Sequence, residues 1–239
     1  VVVLIGTLIF YNKNFLKVFL GIGYPGIFYV FSFSACNITF LISIQNTNVA
    51  NTLVMIALAP MLSAILGAIF LKEVPDKKTW TAILITFVAC VYIFYDSLNL
   101  GNFYGDFFGL VTAFGLACNA VLARYAKDRD LVPSAVIGKL CVAIFAFFFV
   151  KNFELIGNDL IYVPLMCVMC VAIPFVLVTI APRFITAAEV NLFFLLETIL
   201  GPIWVWLVIK EQPSIETIIG GAVIILTIAT HSFFALKKT

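Results

Sequence analysis

Two carboxylates inside a largely apolar run are the groups in this chain best placed to do chemistry: Glu189 and Glu197, within the stretch from Thr186 to Ile209. An ionisable side chain in so apolar a segment is expensive and normally faces a cavity or a partner. There it can hold the ammonium of a solute, carry a proton, or accept a structural hydrogen bond from a neighbouring helix. A helical separation of eight residues places the pair about 80° apart around the axis and about 12 Å apart along it. Thr186 and Phe193 fall on the same stripe.

The elements that must carry this stripe follow from composition. The chain is 64% hydrophobic and 11% charged, with 25 Phe and a mean hydropathy of +1.17. Soluble domains are roughly half apolar and a quarter charged, so this is an integral membrane protein. Runs such as Ala143 to Val150 are apolar on every side, whereas the strands of a membrane barrel alternate in segments of about ten residues. The fold is therefore expected to be all-α. With about 20 apolar residues needed per crossing, the spans fall near 1–11 (too short to cross), 16–42, 48–71, 79–95, 105–124, 134–150, 160–182, 186–209 and 216–236.

An internal repeat organises these spans. Phe70-Leu71-Lys72-Glu73-Val74-Pro75 recurs as Val208-Ile209-Lys210-Glu211-Gln212-Pro213, an offset of 138 residues (210 − 72). The same offset lays Asn48, Asn51, Met55 and Ala59 onto Thr186, Glu189, Phe193 and Glu197. It divides the chain into a first repeat at 1–95, a linker at 96–104 and a second repeat at 105–236. Shifted back, the spans at 105–124 and 134–150 predict partners at about −33 to −14 and about −4 to 12, so a helix and the start of another are expected before Val1. About ten helices result, five per repeat.

Charge sets the orientation. Lys13, Lys17, Lys72, Lys77, Lys78, Arg124, Lys127, Arg129, Arg183, Lys237 and Lys238 gather on one side, eleven of the 14 basic residues. That side, with the C-terminus, is expected to be cytoplasmic in the inner (plasma) membrane. The two Lys-Glu loops then lie on opposite faces, which makes the repeats inverted. A pseudo-two-fold would bring the two stripes together near the midplane, giving a substrate-binding set of Glu197, Glu189, Asn51, Met55, Phe193 and Asn48. Tyr24 joins it from the expected kink Gly21-Ile22-Gly23-Tyr24-Pro25-Gly26, whose dinucleotide-like lettering has no preceding strand.

The remaining groups have blander readings beside functional ones. Glu197 serves either a solute or a neighbouring helix, and Glu189 either the cavity or the cytoplasmic interface. Asn48, Asn51, Asn37 and Thr52 suit interhelical hydrogen bonds more than ligand contacts, and Phe193 and Met55 suit packing. Lys139 can balance a Glu, bind an anionic solute or snorkel to the surface. His231 fits an interfacial hydrogen bond or a proton relay. Cys167 and Cys170 have metal-site spacing without a His cluster, so no metal, cofactor or disulfide is expected. Pro60, Pro174 and Gly201-Pro202 break backbone bonds that must be satisfied by protein or a wet cavity.

The blocks Leu58-Ala59-Pro60 to Lys72-Glu73, Leu195-Leu196-Glu197 to Lys210-Glu211 with Gly220-Gly221, and Gly105-Asp106 to Leu122-Ala123-Arg124 resemble the drug/metabolite transporter superfamily, within it the ten-helix EamA type. The resemblance covers essentially the whole chain; Thr198 departs from the Pro usual after Glu, and Thr81-Ala82 from a frequent Gly. It implies a secondary carrier moving small organic solutes across the bilayer by alternating access, as export or uptake, with the site between the halves. No enzymatic activity and no nucleic-acid partner are expected, and protons are the candidate coupling ion. The single His and scattered acids disfavour a metal-dependent membrane enzyme; a non-transporting scaffold or a lipid flippase component competes with the carrier. Two carboxylates against one internal lysine favour amino acids, amines or related solutes over anionic or sugar-type cargo.

Overall fold

The computed structural model describes residues 15–47, 49–95, 103–149, 157, 159–197, 200, 203, 206, 207, 210 and 214–236. The described elements are helical: α1 Phe15–Ile22, α2 Tyr24–Asn46, α3 Val49–Ile56, α4 Ala59–Leu66, α5 Lys77–Phe94, α6 Phe103–Tyr125, α7 Val132–Phe147, α8 Asp159–Met166, α9 Ile173–Ile180, α10 Ala187–Phe194 and α11 Ile215–Leu236. Among the described residues, Tyr24–Asn46, Asn51–Leu71, Lys77–Phe94, Phe103–Tyr125 and Asp159–Arg183 are long and apolar enough to cross a bilayer, and Val132–Phe147 and Ile215–His231 are shorter apolar helices. Large apolar side chains such as Phe31, Val88, Phe103 and Phe148 stand exposed on this bundle, a surface that suits hydrocarbon tails and not water.

Each break in these spans has a local cause. The expected span 16–42 is instead two helices, because Gly23 adopts φ 69°, a conformation that only glycine takes at little cost. Pro25 then sits in the first turn of α2, where its missing N–H costs nothing. Within 49–71, Pro60 starts α4 after a two-residue turn at Ala57-Leu58, and the segment ends in wide turns over Gly67–Leu71. Pro174 likewise opens α9 behind wide turns at Cys167–Ala172. The expected first span at 1–11 and the linker residues 96–102 lie outside the described residues.

Two packed cores flank the middle of the bundle. One joins α4, α5, α10 and α11 through Ala64, Ile83, Cys90, Leu192 and Ile224. The other joins α1, α2, α6 and α7 through Ile22, Tyr29, Phe33, Ala123 and Ala135. Helix α6 touches α2, α3, α4 and α10, and small residues make that possible. A Cβ at Gly105 would lie 2.6 Å from Thr47 and one at Gly115 2.9 Å from Cys36. Small residues at helix interfaces let backbones approach closely, which is how helices associate in lipid.

Candidate functional site

A cavity of about 690 Å³ opens between the two cores. Its walls come from α2, α3, α4, α5, α6, α7, α9 and α10, with Leu53, Ile56 and Ala59 on one side and Val190, Asn191, Phe194, Leu195 and Glu197 on another. The spans beginning near 49 and 187 therefore meet, and Asn191 Nδ2 donates to Ser63 Oγ and, at 3.4 Å, to the Leu116 carbonyl. That side chain links α10 to both α4 and α6 and is almost wholly buried.

Lys139 lines the same cavity. Its placement begins at Gly138, where a Cβ would lie 2.8 Å from the Phe33 ring, and where Ser34 Oγ donates to the Gly138 carbonyl at 3.1 Å. This close approach of α7 to α2 puts the next residue beside Asn37. Asn37 Nδ2 donates to the Phe33 carbonyl one turn back at 2.7 Å, leaving its Oδ1 to accept from Lys139 Nζ at 2.7 Å. The ammonium lies 3.6 Å from the ring centroid of Phe175 and 5.4 Å from that of Phe33. Such cation–π contacts contribute about 0.5–2 kcal/mol each, depending on how dry the site is. Phe33 and Phe175 meet edge to face at 5.3 Å, and the Tyr29 hydroxyl meets Thr179 Oγ1 at 3.4 Å, so the aromatic wall ties α2 to α9.

The predicted site residues separate. Glu197 and its repeat mate Ala59 line the cavity. Glu189 does not: it closes a capping box at the start of α10, accepting from the Thr186 N–H at 2.9 Å and the Thr186 hydroxyl at 2.8 Å. Asn51 is buried and donates to Asp106 Oδ1 at 3.0 Å, alongside Thr47 Oγ1 at 2.8 Å. Met55 packs against Gly109 of α6. Phe193 and Tyr24 are exposed and are absent from the cavity wall. Asn48 lies outside the described residues. Both lining stripes are thus rotated by about one residue from the expected faces, because the polar side chains at the helix starts are used to cap and tie the helices.

The end of the bundle that bears most of the basic residues is held by ionic contacts. Arg124 at the end of α6 pairs with Glu73 and donates from Nη1 to the carbonyls of Pro182, at 3.1 Å, and Arg183, at 3.3 Å. Arg183 pairs with Asp130 at 3.2 Å, and Arg129 donates to the Ile22 carbonyl. Pro182 also lines the cavity, so this cluster lies directly against one end of it. Nearby, His231 and Thr79 Oγ1 are hydrogen-bonded at 3.0 Å, joining α11 to α5.

A polytopic helical membrane protein with a central cavity is the class these features define. The chain belongs to the EamA-like transporter family, whose sequence profile matches residues 1–95 and 103–233, within the drug/metabolite transporter superfamily. It is similar to an uncharacterized transporter of Methanothermobacter thermautotrophicus (strain ATCC 29096 / DSM 1053 / JCM 10044 / NBRC 100330 / Delta H), with 25% identity over 196 residues, 78% of this chain. The chain spans 57% of that relative's length. A protein crystal structure shares the fold with a TM-score of 0.75 at 12% identity, covering 88% of this chain and 76% of the other.

Proposed function

We propose that the chain is a secondary carrier that moves a small organic solute across the plasma membrane by alternating access between two inverted halves, residues 1–95 and 105–236. One observation carries this reading: a single cavity in the middle of the bundle is lined by both Lys139 and Glu197. Among the described residues neither forms an ion pair. Opposite charges kept in a membrane-embedded cavity are costly unless a cargo or a proton uses them.

Three further features support it. The family is one of transporters. Lys72 and Lys210, equivalent positions in the sequence repeat, are the only non-glycine residues with positive φ among the described ones, at 57° and 66°. The same left-handed turn closing both spans is what duplicated halves produce. Finally, the ionic cluster around Arg124 suits a gate that shuts the cytoplasmic end, the side on which the charge distribution puts the C-terminus.

The cargo is an amino acid, an amine or a related metabolite, with Glu197 facing the solute or a coupled proton. Flux through proteoliposomes holding the full-length protein tests the reading. Transport that saturates, and that loses its pH dependence in Glu197→Gln, is the expected outcome. The absence of flux for every amino acid, amine and organic acid offered would overturn the carrier, and unchanged flux at every pH in Glu197→Gln would return that carboxylate to a structural role.

A further inference from the structure

We infer that the cavity recognises a zwitterion at two poles, its carboxylate on Lys139 and its ammonium on Glu197, with an apolar side chain against the aromatic wall. The inference rests on the carrier reading above and assigns Lys139 a specificity-determining contact.

Geometry, not surface access, holds Lys139 where it is. Of its three ammonium donors one is taken by Asn37 Oδ1, and the aromatic faces of Phe33 and Phe175 accept no conventional hydrogen bond. Two N–H groups therefore remain for a ligand carboxylate. No carboxylate of the protein pairs with this cation among the described residues. A snorkelling lysine would present its head to the interface; this one is half-buried among Phe33, Val136, Val171 and Phe175.

The opposite pole has the matching chemistry. Glu197 is exposed to the cavity and is held by no hydrogen bond or ion pair among the described residues. Asn119 on α6 also lines the cavity, is 8% exposed, and its Oδ1 is buried with no hydrogen-bond partner. A buried acceptor left unpaired costs about 1–3 kcal/mol, so an arriving donor is rewarded there. An ammonium supplies three donors, and the Glu197 carboxylate offers two acceptor oxygens. Phe40, Phe94, Phe194 and Leu195 furnish apolar cavity wall for the solute's side chain.

Discrimination follows from charge matching. An amine satisfies Glu197 and leaves Lys139 facing an additional cation, while an organic acid does the reverse. Only a zwitterion satisfies both, and a solute that leaves one buried charge bare loses affinity steeply.

Thermal-shift titration of the full-length protein in detergent tests this with two matched trios: L-phenylalanine, phenethylamine and 3-phenylpropionate, and L-leucine, isoamylamine and 4-methylvalerate. The amino acid of at least one trio should bind at least about tenfold more tightly than its amine and its acid. Lys139→Gln should erase the advantage over the amine, Glu197→Gln the advantage over the acid, and Lys139→Arg should keep both. Equal binding within both trios, no binding by either amino acid, or full discrimination surviving in a monodisperse Lys139→Gln protein would each overturn the proposal. The wild-type trios decide it even where a variant fails to fold. Flux of an amine or an acid with no amino-acid binding removes the zwitterion and leaves the carrier intact, whereas amino-acid binding without flux of any solute does the opposite.

Discussion

Arg124 Nε donates to both carboxylate oxygens of Glu73, at 2.9 and 3.2 Å. This joins the end of α6 to the turn that closes the span 51–71, and Arg124 Nη1 reaches on to the backbone behind α9. A guanidinium is suited to this because its planar fork serves several acceptors at once.

Removing it should loosen that end of the bundle. The pair is partly exposed, with side chains 17% and 35% accessible, so each single loss is expected to cost about 1–2 kcal/mol and not the larger amounts of a fully buried pair. Arg124→Ala should lower the melting temperature in detergent more than Glu73→Gln does, since it also strips two carbonyls of their donor. A reversed pair, Glu73→Arg with Arg124→Glu, should recover part of the ion pair but not the carbonyl contacts. Equal effects of the two single substitutions would show that the carbonyl contacts contribute nothing.

Glu189 should behave as a capping residue. Thr186→Ala is expected to destabilise by about 1 kcal/mol, whereas Glu189→Gln, which keeps an acceptor for the box, should change melting by less than about half of that. Transport in Glu189→Gln should therefore keep its wild-type pH dependence while Glu197→Gln loses it. A loss of pH dependence as complete in Glu189→Gln as in Glu197→Gln would place Glu189 on the transport path after all.

Glycine positions supply a paired test. A methyl at Gly105 meets the Asn46 backbone carbon at 2.7 Å, while one at Gly21 meets nothing within 4 Å. Gly105→Ala should sharply reduce the folded yield, because the backbone of α2 would have to move. Gly21→Ala, inside α1, should be neutral or stabilising by about 0.5–1 kcal/mol. Fluorescence-detected size exclusion of the two variants reads the contrast.

Orientation is open to chemical labelling. On a background lacking native cysteines, single cysteines at positions 78 and 128 should resist an impermeant thiol reagent in intact cells, and one at position 100 should react. Labelling at 128 without labelling at 100 would reverse the assigned topology.

The spans were legible because hydropathy over about 20 residues depends only on composition. The break near Gly23 was legible as well, since a cluster of glycines with a proline announces it. Facing was harder. The repeat places Glu189 and Glu197 on one stripe, yet Thr186-Ala187-Ala188-Glu189 has the spacing of a capping box, a signature the sequence displays openly. Read first for that, Glu189 leaves the cavity. Lys139 was the reverse case. Its partner Asn37 lies 102 residues away, and its inward position depends on Gly138 fitting against Phe33, a contact that periodicity on a single helix does not contain.

The small residues along α6 have a mechanical consequence. With Gly105 seated on Thr47 and Gly109 on Met55 and Ser43, α2, α3 and α6 mesh like cogs without clearance, and sliding one past another would drive backbone into side chain. In the proposed carrier, shape change would then concentrate at the joints where the regular ladder already lapses, at Ala57-Leu58 and across Cys167–Ala172. Stiffening either joint should slow turnover without weakening the grip on cargo, which separates the parts of this chain that hold from the parts that swing.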